Sequence, residues 1–227
     1  FYDVEYNDDN TISRFEPNRE GVPKQVRKRI ILNMDNTYVP KKLIVPFMET
    51  VHDRIMLELF RGCIRGCRFC QAGYIYRPVR ERSVDKLVET AGECIKNTGY
   101  EEMSMSSLST SDYTDLDELT NKLLDITVDK RINLSLPSLR VDNFSMELME
   151  KVQKVKKSGL TFAPEAGTQR LRDVINKNVL ESDLIRTSNI AFRGGYNRIK
   201  LYFMLGLPTE TYEDVLGIAE LGKKVID

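Results

Sequence analysis

Excess charge of either sign is missing from this chain: 34 Lys and Arg stand against 34 Asp and Glu in 227 residues. That balance argues for neither a nucleic-acid coat nor a membrane surface. No run reaches the about 18 apolar residues of a membrane-crossing helix, and no signal peptide opens the chain. The expected compartment is therefore the cytoplasm, with no membrane partner. Histidine occurs once, at His52, and cysteine only four times, so no second half-site accompanies any zinc motif. Internal repeats and low-complexity segments are also absent. The chain opens at Phe1, without methionine and inside an apparent strand, and stops at Asp227 just after a helix. It reads as a piece of a longer protein.

What is present is concentrated. Three of the four cysteines stand in Cys63-Ile64-Arg65-Gly66-Cys67-Arg68-Phe69-Cys70, spaced Cys-x3-Cys-x2-Cys after an apolar segment. Thiolates are the soft ligands of iron–sulfur clusters, and a cubane normally takes four of them. Three on one loop would leave one iron without a protein ligand, open to a small molecule. That suits an enzyme better than an electron carrier, although an electron-transfer or cluster-sensing module remains the alternative. A Cys3His zinc site with His52 is a further reading. Three clustered cysteines cannot all pair in disulfides, and Cys94 falls near the apolar stripe of an expected helix (Val84, Leu87, Val88, Ala91, Ile95). Six arginines (Arg61, Arg65, Arg68, Arg77, Arg80, Arg82) crowd the loop. They would offset a cluster's negative charge or grip an anionic substrate; for Arg77, Arg80 and Arg82 a solvated basic loop is the competing reading.

With 41% hydrophobic residues the chain can bury a core, as one domain or slightly more. Residues 1–50 read as an N-terminal hairpin, with strands at 4–6 and 11–15 around Asn7-Asp8-Asp9-Asn10, then a proline-punctuated extended segment packed along the rest. Residues 51–227 alternate apolar runs with amphipathic helical patterns, the signature of an α/β fold with a parallel sheet. Strands are expected at 55–60, 103–108, 132–136, 160–163 and 199–205. Helices are expected from the Ser83 N-cap to Asn97, along Leu116, Leu119, Leu123 and Leu124, from Ser145 to Lys157, over 168–177 and 182–192, and from Thr211. Five such units suit a doubly wound sheet or part of a (β/α) barrel, since a full eight-fold barrel needs about 250 residues. Either fold puts the site at the carboxyl ends of the strands, where the cysteine loop begins. Met103, Met105, Phe203 and Met204 are expected in the core.

These residues resemble the radical S-adenosylmethionine enzymes, whose hallmark is Cys-x3-Cys-x-aromatic-Cys after the first strand of a partial (β/α) barrel. Cys63, Cys67, Phe69 and Cys70 match it. The run 162–170, Phe-Ala-Pro-Glu-Ala-Gly-Thr-Gln-Arg, is similar to the fourth-strand Glu-Ser-Gly-Ser segment of the methylthiotransferase-like and cobalamin-dependent branches. The run 204–211 is similar to their Gly-x-Pro-x-Glu-Thr segment. Residues 61–73 and 135–140 look like the group in which such a domain follows a cobalamin-binding-like domain; no cobalamin domain lies in this chain.

The resemblance implies a truncated barrel core over residues 51–227. Cys63, Cys67 and Cys70 would hold a [4Fe–4S] cluster whose fourth iron chelates S-adenosylmethionine. A one-electron reductant such as flavodoxin or ferredoxin would drive cleavage to a 5′-deoxyadenosyl radical, which abstracts hydrogen from a substrate (RNA, protein or small molecule). Phe69 would pack by the adenine, with core filling as the other reading. Ser106, Ser107 and Ser109 would end the second strand near the methionine amino group, although the family's two-glycine-plus-acid sequence is replaced by Leu108-Ser109-Thr110-Ser111-Asp112. Glu165 would bind ribose hydroxyls or the amino group, or else be a surface carboxylate. Arg140 or Arg170 would pair with the methionine carboxylate, unless exposed. Gly206 and Pro208 would shape the turn near the adenine, or only a structural turn.

Overall fold

The computed structural model of the protein describes residues 1–137, 140–141, 147, 151 and 159–227. The chain divides into two units, Phe1–Leu32 and Asn33–Asp227. In the first, β1 (Tyr2–Tyr6) pairs antiparallel with β2 (Ile12–Pro17). The turn between them contains Asn10 in the left-handed region (φ 63°), and Tyr2 stacks on Phe15 across the ladder. The hairpin expected from the polar turn is present.

The larger unit opens with the strand β3 (Ile55–Glu58), followed by β4 (Phe60–Arg61) and, beyond the cysteine loop with its short helix α1 (Ala72–Ile75), by β5 (Arg80–Glu81). Helix α2 (Val84–Thr98) leads to β6 (Glu102–Ser106), and α3 (Leu116–Thr127) to β7 (Asn133–Ser135). β3, β6 and β7 form one parallel sheet, with Leu57 opposite Met105 and Met103 opposite Leu134. The Ser83 hydroxyl accepts from Lys86 N–H at the start of α2, and Gly99 closes the helix at φ 69°. Leu87 and Ala91 of α2 and Leu119 and Leu123 of α3 cover Ile55, Leu57, Met103 and Met105 in one core. Cys94 lies in that core and hydrogen-bonds the Pro40 carbonyl, and burial pushes its thiol pKa up. The expectation of a core cysteine holds.

A second parallel pair joins β8 (Leu160–Glu165) to β9 (Ile199–Phe203). Helices α4 (Gln169–Val174), α5 (Glu181–Arg193) and α6 (Tyr212–Ile226) follow the sequence pattern, with Phe162, Leu184 and Leu221 in a shared core. Met103 and Met105 are fully buried, and Phe203 and Met204 pack against the cores beside β9.

The fold is α/β with parallel strands; the described strands form separate sheets and close no barrel, and none is expected to close in a chain of this length. Pro164 sits within β8 where the ladder to β9 shifts register between Phe162 and Glu165, and a proline cannot donate to a ladder. The helix expected from Ser145, and Ser138 and Leu139, lie outside the described residues. The apolar runs at 30–32 and 43–45 form no strands. Among the described residues no helix is long and apolar enough to cross a membrane.

Candidate functional site

The cysteine loop leaves the carboxyl end of β3 through β4 and returns through β5, and pairing of Phe60 with Glu81 and Arg61 with Arg80 closes its base. Two glycines let its limbs touch backbone to backbone. A Cβ on Gly62 (φ 102°) would sit 2.8 Å from the carbonyl oxygens of Tyr76 and Pro78; one on Gly73 would sit 2.7 Å from that of Arg65. All three loop thiols are free, Cys67 buried and Cys63 and Cys70 half-buried. Cys70 N–H donates to the Cys67 carbonyl, and Arg65 N–H points at Cys63 Sγ, 3.4 Å away.

Arginines fasten this loop to its surroundings. Arg65 forks onto Asp112, just beyond β6. Burial pushes the Asp112 carboxyl up, but Arg65 and its other polar neighbours outweigh that, so its pKa lies below the ordinary value. Arg68 N–H donates to the Ile175 carbonyl and its guanidinium to that of Val174, while Asn176 Nδ2 donates to the Gly66 carbonyl at 2.8 Å. Arg77 and Arg80 donate to loop carbonyls, and the buried Arg82 bonds Glu58 and the Met34 carbonyl. The choice between solvated and anion-gripping arginines at 77, 80 and 82 is thus replaced by a third role: they hold backbone.

At the mouth of the loop the second parallel pair contributes a compact polar cluster. Glu165 ends β8 at φ 71°, a left-handed conformation unusual for a glutamate. Its Oε1 accepts from Lys177 Nζ at 2.9 Å, with side chains only 15% and 12% exposed. The same ammonium lies 5.8 Å from the Phe69 ring centroid. Arg140 reaches the Lys177 carbonyl with Nη2 (3.3 Å), and its own N–H donates to Ser111 Oγ. Arg140, Val141, Ala163, Lys177 and Val179 line a cavity of about 40 Å³. Phe69, Arg140 and Glu165, nominated from the sequence, therefore meet around Lys177, which sequence reasoning missed. Its only signal there was a basic residue twelve positions after Glu165.

The other nominated residues are dispersed. Ser107 Oγ shares a hydrogen bond with Thr110, and the buried Ser109 hydroxyl helps hold the Asp112 carboxyl below its ordinary value. Arg170 is committed elsewhere: it donates to the Thr209 carbonyl and to Asp214, which also accepts from Thr168 and from Thr211 at the start of α6. Gly206 (φ 78°) and Pro208 lie in the exposed turn after β9, where the Gly206 N–H donates to Glu210. Its glycine requirement is conformational, because a Cβ there would meet nothing within 4 Å.

The donor set fits a cluster in kind and number: three unpaired thiols on one loop, one of them already facing a backbone N–H. As placed, no three His, Cys, Asp or Glu side chains among the described residues converge to hold a metal ion. His52 is exposed ahead of β3, and Cys94 is packed into the core.

A parallel α/β frame with three thiols at the carboxyl end of its first strand defines a class, and the family model agrees. The chain belongs to the radical SAM superfamily, a class of enzymes, whose model matches residues 57–222. Among individual proteins it is similar to two from Methanocaldococcus jannaschii. The uncharacterized protein MJ0966 is 41% identical over 195 residues, covering 82% of this chain and 42% of the relative. The putative methylthiotransferase MJ0865 is 25% identical over 217 residues, covering 88% and 47%. The chain thus spans less than half the length of either. In structure it is similar to the radical S-adenosylmethionine methyltransferase TsrM from Kitasatospora setae, solved with cobalamin and a [4Fe-4S] cluster bound. The TM-score is 0.62 at 13% identity, covering 76% of this chain and 35% of that one.

Proposed function

We propose that this chain is the cluster- and cofactor-binding core of an enzyme that reductively cleaves S-adenosylmethionine, with Cys63, Cys67 and Cys70 as the protein ligands of a [4Fe–4S] cluster. The observation that carries this reading is the free thiol triplet on a loop fixed at the carboxyl end of β3, within a chain of the radical SAM superfamily. When bound, cluster and cofactor supply one-electron cleavage of a carbon–sulfur bond and hydrogen abstraction from substrate; the protein contributes binding, orientation and exclusion of water. The two parallel sheets are read as arcs of a partial barrel over residues 51–227, preceded by the hairpin unit Phe1–Leu32 and a connecting segment that belongs to the larger unit.

Within that frame, Phe69 presents an apolar ring beside the loop, more than a third exposed and so free to take a planar ligand. Lys177 carries positive charge to the same place and Glu165 an acceptor, a pairing that suits an amino-acid zwitterion. Arg140 is better placed than Arg170 to assist with a carboxylate, since it already contacts the Lys177 backbone. Ser107 and Ser109 follow directly on β6, where their hydroxyls are suited to a polar ligand group. Gly206 and Pro208 shape the rim after β9. The reductant would be a small one-electron carrier such as flavodoxin or ferredoxin. Cobalamin would enter only through a further domain of the longer protein, and the cytoplasm is the compartment that keeps such thiols reduced. A plain electron-transfer module would need a fourth protein ligand, and Cys94, the one further cysteine of the sequence, is packed into the core.

The full-length protein, reconstituted without oxygen and reduced with dithionite, is expected to bind four irons and release 5′-deoxyadenosine from S-adenosylmethionine. Alanine at any of the three cysteines should abolish both. Four irons with no cleavage would overturn the reading.

A further inference from the structure

From the geometry of the loop's outer side we infer that Arg77 is a positioning residue for the cluster: its guanidinium turns successive peptides of the Cys63–Cys67 segment so that their N–H groups serve the cluster sulfurs. This rests on the proposed ligand role of the cysteines. Arg77 Nε donates to the Cys63 carbonyl at 3.2 Å, and Nη2 donates to those of Ile64 and Arg65 at 3.1 and 3.0 Å. Asn176 binds the next carbonyl, Gly66, so four consecutive carbonyls between the first two cysteines are taken by side-chain donors. A peptide is planar, so a carbonyl held on one side directs its N–H to the other. That consequence is visible where Arg65 N–H faces Cys63 Sγ.

The glycines make the clamp possible. Gly73 carries no Cβ where one would lie 2.7 Å from the Arg65 carbonyl and 3.7 Å from the Arg77 guanidinium; Gly62 keeps the return limb equally close. Lysine cannot replace this residue fully, because a single ammonium lacks the planar fork that reaches three acceptors from one side chain. Hydrogen bonds to cluster sulfurs and nearby positive charge both favour the reduced, more negative cluster. Arg77 supplies the charge itself and the hydrogen bonds through the backbone.

The test compares Arg77→Lys and Arg77→Met with the parent in the full-length protein. Readouts are iron and sulfide per chain, the cluster midpoint potential, the electron paramagnetic resonance spectrum of the reduced cluster, and thermal unfolding of the metal-free chains. Arg77→Met should weaken cluster retention about tenfold, as outer-shell losses do, and shift the potential to more negative values with an altered spectrum. Arg77→Lys should restore part of the potential and little of the spectrum. Metal-free melting should be unchanged, because Arg77 is exposed. Parent-like potential and spectrum in both variants would overturn the inference. So would early melting of the metal-free variants, which would make Arg77 a general stabiliser. A parent that binds no cluster on these cysteines overturns the proposed function, and this inference with it.

Discussion

Asp214 shows how a single carboxylate can hold two segments. Arg170 lowers its pKa most, followed by Thr168, and together they outweigh burial, so the carboxyl lies well below its ordinary value of 3.8. Because folding depresses this pKa, the stability it supplies is complete above 3.8 and is lost as pH falls below that value toward the folded pKa. Asp214→Asn should therefore cost about 2 kcal/mol at neutral pH, the range for hydrogen bonds to a charged group. It should also flatten the acid limb. Urea unfolding on both sides of 3.8 checks this, and parallel acid limbs for parent and variant would refute it. Arg170 was nominated from the sequence as a carboxylate binder, and it does bind a carboxylate, but one of the protein's own. Sequence showed the right chemistry and could not show which partner lay within reach. Lys177 was missed for the converse reason: nothing in its local pattern distinguishes a lysine aimed at Glu165 and Phe69 from a solvated one.

At the scale of elements, the contact between the turn after β8 and helix α6 is the most exacting. A Cβ on Gly167 would fall 2.3 Å from Ile218 N and 2.6 Å from the Asp214 carbonyl oxygen, with backbone on both sides and no side chain to move. Gly167→Ala is expected to destabilise by about 3 kcal/mol or more. Gly92 is the contrast. It stands inside α2 with nothing within 4 Å of a Cβ, so Gly92→Ala should stabilise by about 0.5–1 kcal/mol. Chemical denaturation of the two variants measures both, and a Gly167→Ala chain as stable as the parent would deny the close approach. The helices themselves were legible. Ser83 and Gly99 bracket α2 as the pattern predicts, and Leu119 and Leu123 are the buried face of α3. Strand ends were less so, because Pro164 acts through a ladder partner that one strand's sequence does not name.

For the whole molecule, the cysteine loop is the junction between the sheet β3–β6–β7 and the pair β8–β9. Arg65 reaches Asp112 beyond β6, while Arg68 and Gly66 meet Val174, Ile175 and Asn176 beyond β8. A cluster bound at Cys63, Cys67 and Cys70 would fix the loop that spans that junction, and a ligand that binds only the folded state raises its stability. Anaerobically loaded protein is expected to have a higher Tm than the same protein stripped with a chelator. Cys67→Ala should remove the difference. Equal melting of loaded and stripped protein would show that the cluster does not bind the folded chain in preference to the unfolded one.

The sequence by itself determined the secondary-structure order, the apolar faces that become the cores, and the thiol triplet with its chemistry, because these depend on neighbours within a few residues. The tertiary structure alone decided which charges meet. It seated Lys177 between Glu165 and Phe69, gave Arg170 to Asp214, and turned Arg77 and Arg80 onto carbonyls of the cysteine loop. An ion pair or a carbonyl clamp joins groups far apart in the chain at about 3 Å; only the packed backbone sets that distance.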